Sequence, residues 1–158
     1  MIMLGIVLAL AGAAFATIFA GIGSVKGVGM STEAGMGVLA EDSSMFGKLL
    51  VLELLPGTQG LYGFIVSVII MLNIGVLGGG LQTDMSIWTG LLYLVASLPI
   101  GVGGLISGIA QGRAATAGIG LIAKKAEDFS KAMVSTTLVE IYALLAFLVS
   151  LLSVLALG

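Results

Sequence analysis

Three polar side chains stand where almost everything around them is apolar: Gln59, Gln111 and Glu140. One carboxylate and two amide oxygens, with the Thr58 hydroxyl beside Gln59, make an all-oxygen set suited to a hard cation. A monovalent ion on a single carboxylate is neutral overall, which is the condition for carrying it past hydrocarbon. Around Gln59 the chain reads Leu54-Leu55-Pro56-Gly57-Thr58-Gln59-Gly60-Leu61-Tyr62. Leu55, Thr58, Gln59 and Tyr62 fall at i, i+3, i+4 and i+7, a single stripe of a helix. Pro56 has no amide hydrogen and crowds the carbonyl one turn earlier, so a bend is expected there, with a loosened carbonyl free to join the site. Two plainer readings compete. Glu140 would be a protonated carboxyl that glues helices together, and Thr58 and Gln59 would be interhelical hydrogen-bonders worth about 0.6–2 kcal/mol each.

Composition says what must hold these groups. Of 158 residues, 59% are hydrophobic and 9% charged, with a mean hydropathy of +1.24. Soluble domains carry roughly 45–50% apolar and 25% charged residues. Such a chain buries its surface in lipid. It has no cysteine and no histidine, so disulfides, thiolate metal sites, the usual zinc sites and histidine-based nucleophiles are excluded. Met1-Ile2-Met3-Leu4-Gly5 has no basic n-region, so the start reads as a retained membrane helix.

Four apolar segments follow, each with the roughly 20 residues needed to cross about 30 Å of hydrocarbon. The first runs from about Ile2 to Val25 and continues as helix to about Ala40. The others are Leu49–Ile74, Ile87–Ala123 and Ala132–Leu157, joined by Glu41–Lys48, Gly75–Ser86 and Lys124–Lys131. The expected fold is an all-α membrane protein of two tandem helical hairpins, residues 1–75 and 87–158, with 76–86 as an extracellular connector. All six basic residues, Lys26, Lys48, Arg113, Lys124, Lys125 and Lys131, lie in or a few turns from the first and third connectors. The positive-inside bias puts loops 41–48 and 124–131 in the cytoplasm and both termini outside. Trp88 and Tyr93 fit an interfacial aromatic belt at the outer end of the third segment.

The chain is also a duplication. Residues 17–75 laid on 100–158, a shift of 83 without gaps, give 17 identities in 59. Ala34-Gly35-x-Gly37 falls on Ala117-Gly118-x-Gly120, and Leu61-x-x-Phe64-x-Val66-Ser67 on Leu144-x-x-Phe147-x-Val149-Ser150. The repeats are parallel, unlike the oppositely oriented halves of inverted-repeat transporters. Glu140 falls on Gly57, so only the second hairpin carries the mid-helix acid. It lies nine residues beyond Lys131, on the order of 13 Å along a helix. A charge at that depth costs at least about 2.5–3.5 kcal/mol on insertion scales, so it needs a cation, a proton or polar partners.

Gly23 and Gly27 in the first segment, and Gly104, Gly108 and Gly112 in the third, form small-xxx-small stripes that let helix backbones approach closely. Packing between copies in a ring and packing inside one four-helix bundle both fit these stripes. Gly21-Ile22-Gly23-Ser24-Val25-Lys26-Gly27 superficially resembles a phosphate loop but lacks both spacings and a preceding strand, so no nucleotide is expected here.

The Leu55–Gly63 motif, the segment Ser107-Gly108-Ile109-Ala110-Gln111-Gly112 and the acid restricted to the last helix resemble the proteolipid (K or c) subunit of V-type ATPases. The likeness is greatest to the sodium-translocating bacterial branch. It covers nearly the whole chain. It implies a ring of identical copies, with the first and third helices inside and the second and fourth outside. A stator subunit supplying an arginine and a central stalk at the cytoplasmic loops are the implied partners, with membrane lipid and no nucleic acid. By the same likeness, sodium would be held by the Leu55 carbonyl, Thr58, Gln59, Gln111 and Glu140, with Tyr62 hydrogen-bonded to the carboxylate and Pro56 and Gly57 in support. Catalysis of ATP hydrolysis would lie on other subunits. A rotor carrying only protons on Glu140, and a stand-alone cation channel or transporter, remain the alternatives. Glu53 departs from the family, where an uncharged polar residue is expected. It reads as an acid facing the ring lumen or the headgroups, or else as a second ion site.

Overall fold

The computed structural model describes residues 3–158; Met1 and Ile2, where the first apolar segment is expected to begin, lie outside the described residues. The described chain is all helix and turn. Lipid supplies no hydrogen bonds, so a backbone crossing it must satisfy itself. The first span is α1 (Leu4–Glu41). The second is α2 (Phe46–Leu54), a 3-10 turn (Leu55–Gly57) and α3 (Thr58–Asn73). The third and fourth are α4 (Ile87–Lys124) and α5 (Phe129–Leu157). All four spans are long and apolar enough to cross a membrane. With 38 residues each, α1 and α4 reach about 57 Å and so extend well beyond the hydrocarbon.

Both corners between paired helices are tighter than the expected connectors 41–48 and 124–131. Only Asp42 and Lys125 leave the helical backbone, at φ −142° and −144°. Each is followed by one 3-10 turn that feeds the next helix directly. The Asp42 carboxylate accepts from the Ser44 amide at 2.9 Å; the Ser44 hydroxyl first, and then this amide, hold its pKa below the ordinary value. The two corner residues are repeat mates, so the duplication extends to the backbone. The corners are also joined, because Lys48 Nζ donates to the Ala126 carbonyl at 2.8 Å. At the other end the 76–86 connector is an irregular loop. Gly75 there adopts φ +78° with its α-carbon against the Gly80 carbonyl, where a side chain would collide.

The centre of the molecule is the contact between α1 and α4, the most extensive helix pair. A β-carbon on Gly108 would sit 2.6 Å from the Gly23 carbonyl carbon, and one on Gly23 would sit 2.7 Å from the Leu105 α-carbon. Gly27 packs in the same way on Gly108 and Gly112, and Gly104 lies under Ala20. In this chain, then, the five glycines of the two stripes join its own first and third spans. α3 leans on α1 and α5 on α4 from one side. Gly63 on Ala20 and, in the repeat, Ala146 on Gly103 let these pairs close. Two buried clusters fill the remainder. One is centred on Leu49, Leu52, Ile119 and Ile122 near the corners, the other on Ile70, Tyr93, Ile100 and Val154 toward the opposite end.

Tyr93 corrects the aromatic-belt expectation. Its ring is 2% exposed and its hydroxyl donates to the Leu157 carbonyl at 3.1 Å, so it ties the end of α5 to α4. Trp88, at 76% exposure, is left alone at the surface. Pro99 lies inside α4 without breaking it. One residue on, the Ile100 amide donates to Ser150 Oγ at 3.0 Å, an interhelical bond within the second hairpin. Its repeat mate is the contact of Thr17 with Ser67 at 2.5 Å in the first.

Gly108→Leu is expected to lower the stability of the detergent-solubilised protein by at least the ~1–3 kcal/mol typical of overpacking. Gly37→Ala, at a position with open space around it, is expected to be neutral or slightly stabilising through helix propensity. Thermal unfolding followed by circular dichroism checks both. Equal melting of the two variants would show that the α1–α4 approach is not limiting.

Candidate ion-binding site

Proline and glycine seat the Leu55–Tyr62 stretch on α1. Pro56 is buried, with its β-carbon 2.7 Å from where a Gly27 β-carbon would stand. It does not break the helix. The backbone stays right-handed helical from Leu54 to Thr58 and tightens into a single 3-10 turn. Just beyond, the Gly60 amide donates to Ser24 Oγ at 2.7 Å. These contacts with α1 leave the stripe of Leu55, Thr58, Gln59 and Tyr62 to face the second hairpin.

Three local arrangements result. Gln59 Nε2 donates to Gln111 Oε1 at 2.5 Å, and Gln111 Nε2 donates to the Thr136 carbonyl at 3.3 Å. Both glutamines are wholly buried. Tyr62 donates its hydroxyl proton to Glu140 Oε1 at 2.6 Å. The Leu55 carbonyl, far from free, accepts from the Thr58 hydroxyl at 3.0 Å and from the Thr58 amide. Among the described residues no hydrogen bond runs from Glu140 to Thr58, Gln59 or Gln111. The groups are linked through their helices instead. Gln59 and Tyr62 are three apart on α3, and Thr136 and Glu140 four apart on α5, so each pair shares a face.

One atom in this cluster has no partner. Gln59 Oε1 is buried and accepts nothing, the sole such side-chain atom among the described residues. An orphaned acceptor in so dry a place costs about 1–3 kcal/mol. A cation there would satisfy it.

Sequence reasoning missed three supporting residues. Ser24 was hidden in the glycine-rich stretch weighed only as a phosphate loop. Phe147 stacks on Tyr62 with ring centroids 5.1 Å apart and so fixes the phenol against Glu140; its spacing of seven from Glu140 was the available signal. Thr136 contributes through its carbonyl, which no side-chain pattern reveals. The Glu53 carboxyl folds against Gly35 of α1 and is half-buried. No group of three or more acidic, histidine or cysteine side chains able to hold a metal occurs among the described residues.

Comparison with known proteins agrees with the duplicated geometry. The family described as the C subunit of ATP synthase matches twice, over residues 11–70 and 94–153, two stretches offset by the same 83 residues. The V-type sodium ATPase subunit K of Enterococcus hirae is 50% identical over 151 residues, covering 96% of this chain and 92% of that one. The A-type ATP synthase subunit K of Methanocaldococcus jannaschii is 39% identical over 93% of this chain and 61% of its own. The human 16 kDa proteolipid of the V-type proton ATPase is 28% identical over 90% and 88%. This multi-pass membrane chain belongs to the family of the ATP synthase C subunit, as a rotor proteolipid of the V- and A-type ATPases.

Proposed function

We infer that this rotor proteolipid carries Na+ across the membrane on Glu140, with Thr58, Gln59, Gln111 and the Leu55 carbonyl completing the site. The observation that carries this reading is the buried, partnerless Gln59 Oε1, an acceptor that a proton carrier would not require. The likeness to the Enterococcus hirae relative, a V-type sodium ATPase subunit, supports it. Loading would require Thr58 to turn its hydroxyl proton away from the ion while the oxygen stays in place. Tyr62, held by Phe147, keeps one carboxylate oxygen fixed and leaves the other for the cation. Once loaded, the site is neutral, and the copy can turn through lipid at low electrostatic cost.

The remaining steps involve other chains. The ion enters through a half-channel at the stator and leaves when Glu140 meets a stator arginine. Loops 41–48 and 124–131, on the cytoplasmic side with both termini outside, meet the central stalk. The tight, cross-linked corners suit that torque-bearing role. ATP is hydrolysed on other subunits.

Sodium is expected to slow modification of Glu140 by dicyclohexylcarbodiimide at fixed pH, because an occupied carboxylate is not available to the reagent. Labelling indifferent to sodium would favour the proton rotor. Gln111→Ala removes the acceptor of Gln59 and an oxygen of the site. At the ~1.5–3 kcal/mol of a contact to a charged group, it is expected to raise the half-protecting sodium concentration about ten-fold or more. Proton-dependent labelling should change far less; equal loss of both would count against ligation by Gln111.

A further inference from the structure

The second span has a gap in its hydrogen-bond ladder, and the internal repeat supplies a control for what fills it. Pro56 brings no amide hydrogen, and the backbone around it tightens into the 3-10 turn Leu55–Gly57 before α3 begins at Thr58. A helix leaves its first amides without partners inside it. At the start of α3 the Thr58 amide turns back to the Leu55 carbonyl. The Gly60 amide instead reaches another helix, donating to Ser24 Oγ on α1 at 2.7 Å. Ser24 is buried, so little water competes for this bond. The approach depends on Gly60 having no side chain, since a β-carbon there would stand 3.2 Å from Ser24 Oγ and 3.3 Å from the Ser24 β-carbon.

The shift of 83 places Ser107 on Ser24, Ala143 on Gly60 and Val139 on Pro56. Ser107 is as buried as its mate, yet among the described residues its hydroxyl reaches only the Gly104 carbonyl of its own helix, at 3.5 Å. With no proline at that place, α5 runs unbroken from Phe129 to Leu157, and the Ala143 amide keeps its partner one turn back. The same serine therefore captures an amide from another helix only where proline has opened the ladder. Resting on the sodium reading above, we propose that Ser24 is a positioning residue of the ion site. It caps α3 from a neighbouring helix and so holds Thr58 and Gln59 in the geometry that ligates sodium. Ser24 itself does not touch the ion. Gly60 follows Gln59 directly, so the bond fixes the rotation of this turn, and a small slip would carry Gln59 away from Gln111. The Tyr62–Glu140 bond is braced separately by Phe147. Ser24 thus acts on the neutral ligands and leaves the carboxylate alone.

Ser24→Ala is expected to raise the sodium concentration that half-protects Glu140 from dicyclohexylcarbodiimide by about five-fold or more, the order of effect of losing a helix cap. The rate and pH profile of labelling without sodium should stay as in the natural chain, a split that general loosening of the helices would not produce. Ser24→Thr retains the hydroxyl and should restore full protection. Ser107→Ala, the control supplied by the repeat, should leave protection unchanged. Protection unaltered in Ser24→Ala, or weakened equally in Ser107→Ala, would overturn the proposal. Should Ser24→Ala not fold, Ser24→Cys puts a weaker acceptor at the same place. It should give the same change in smaller degree, and no change there would equally overturn the proposal. Hydrogen–deuterium exchange of the detergent-solubilised protein reads the bond itself. In Ser24→Ala or Ser24→Cys the amides of residues 58–62 should exchange about five-fold faster or more, while those around Ala143 do not change. Equal exchange would remove the cap. A natural chain that shows no sodium protection would remove the sodium reading instead, and the exchange result would then decide by itself whether Ser24 holds the turn.

Discussion

The close approach of α1 and α4 governs everything else in this molecule. In lipid there is no hydrophobic force between helices, so association depends on contact area and on how near two backbones can come. Gly23, Gly27, Gly104, Gly108 and Gly112 remove every side chain that would hold the backbones apart. Once these two helices touch, the flanking helices α3 and α5 must lie on a common side. Gln59 then reaches Gln111, and Tyr62 reaches Glu140. A glycine contact with no chemistry of its own thereby assembles the chemical site.

The second constraint is the cost of charge in hydrocarbon. A carboxylate in the middle of a helix is tolerable only with partners or a counter-ion, and the chain provides just one such acid at that depth on α5. The partners are divided between the hairpins. The first holds neutral oxygens on a stretch that Pro56 and Ser24 fasten to α1, and the second holds the charge. Because Gly57 stands where Glu140 stands in the repeat, the first hairpin carries no acid at that position. Glu53 packs against Gly35 away from the site.

Duplication gives the two hairpins one framework with different polar residues. Corners at Asp42 and Lys125 share their backbone conformation, and Ser67 and Ser150 hold equivalent places between paired helices. The framework is shared between the halves, while the polar residues have diverged: Gln111 against Val28, Gln59 against Tyr142, Glu140 against Gly57.

Four spans and two tandem hairpins were readable from the sequence, because each rests on a strong local signal. Uninterrupted apolar length specifies a membrane helix, a gapless shift reveals the repeat, and a lone carboxylate in apolar surroundings demands an explanation. Which face of each helix points where was not readable. Lipid and protein interior are equally apolar, so the hydrophobic periodicity that orients a soluble helix is nearly absent here. That is why Tyr93 passed for an interfacial ring when it is buried, and why the glycine stripes did not reveal which helices they join. The same ambiguity hid Ser24 and Phe147. Loop lengths were overestimated because polar residues at Asp42–Ser44 and Lys125–Asp128 looked like linker, whereas a single extended residue and one 3-10 turn suffice to reverse the chain. Residue types determined which polar groups the apolar spans carry. Only backbone contact between α1 and α4 decided which of those residues meet, since in a uniformly apolar surrounding steric fit alone distinguishes one helix face from another.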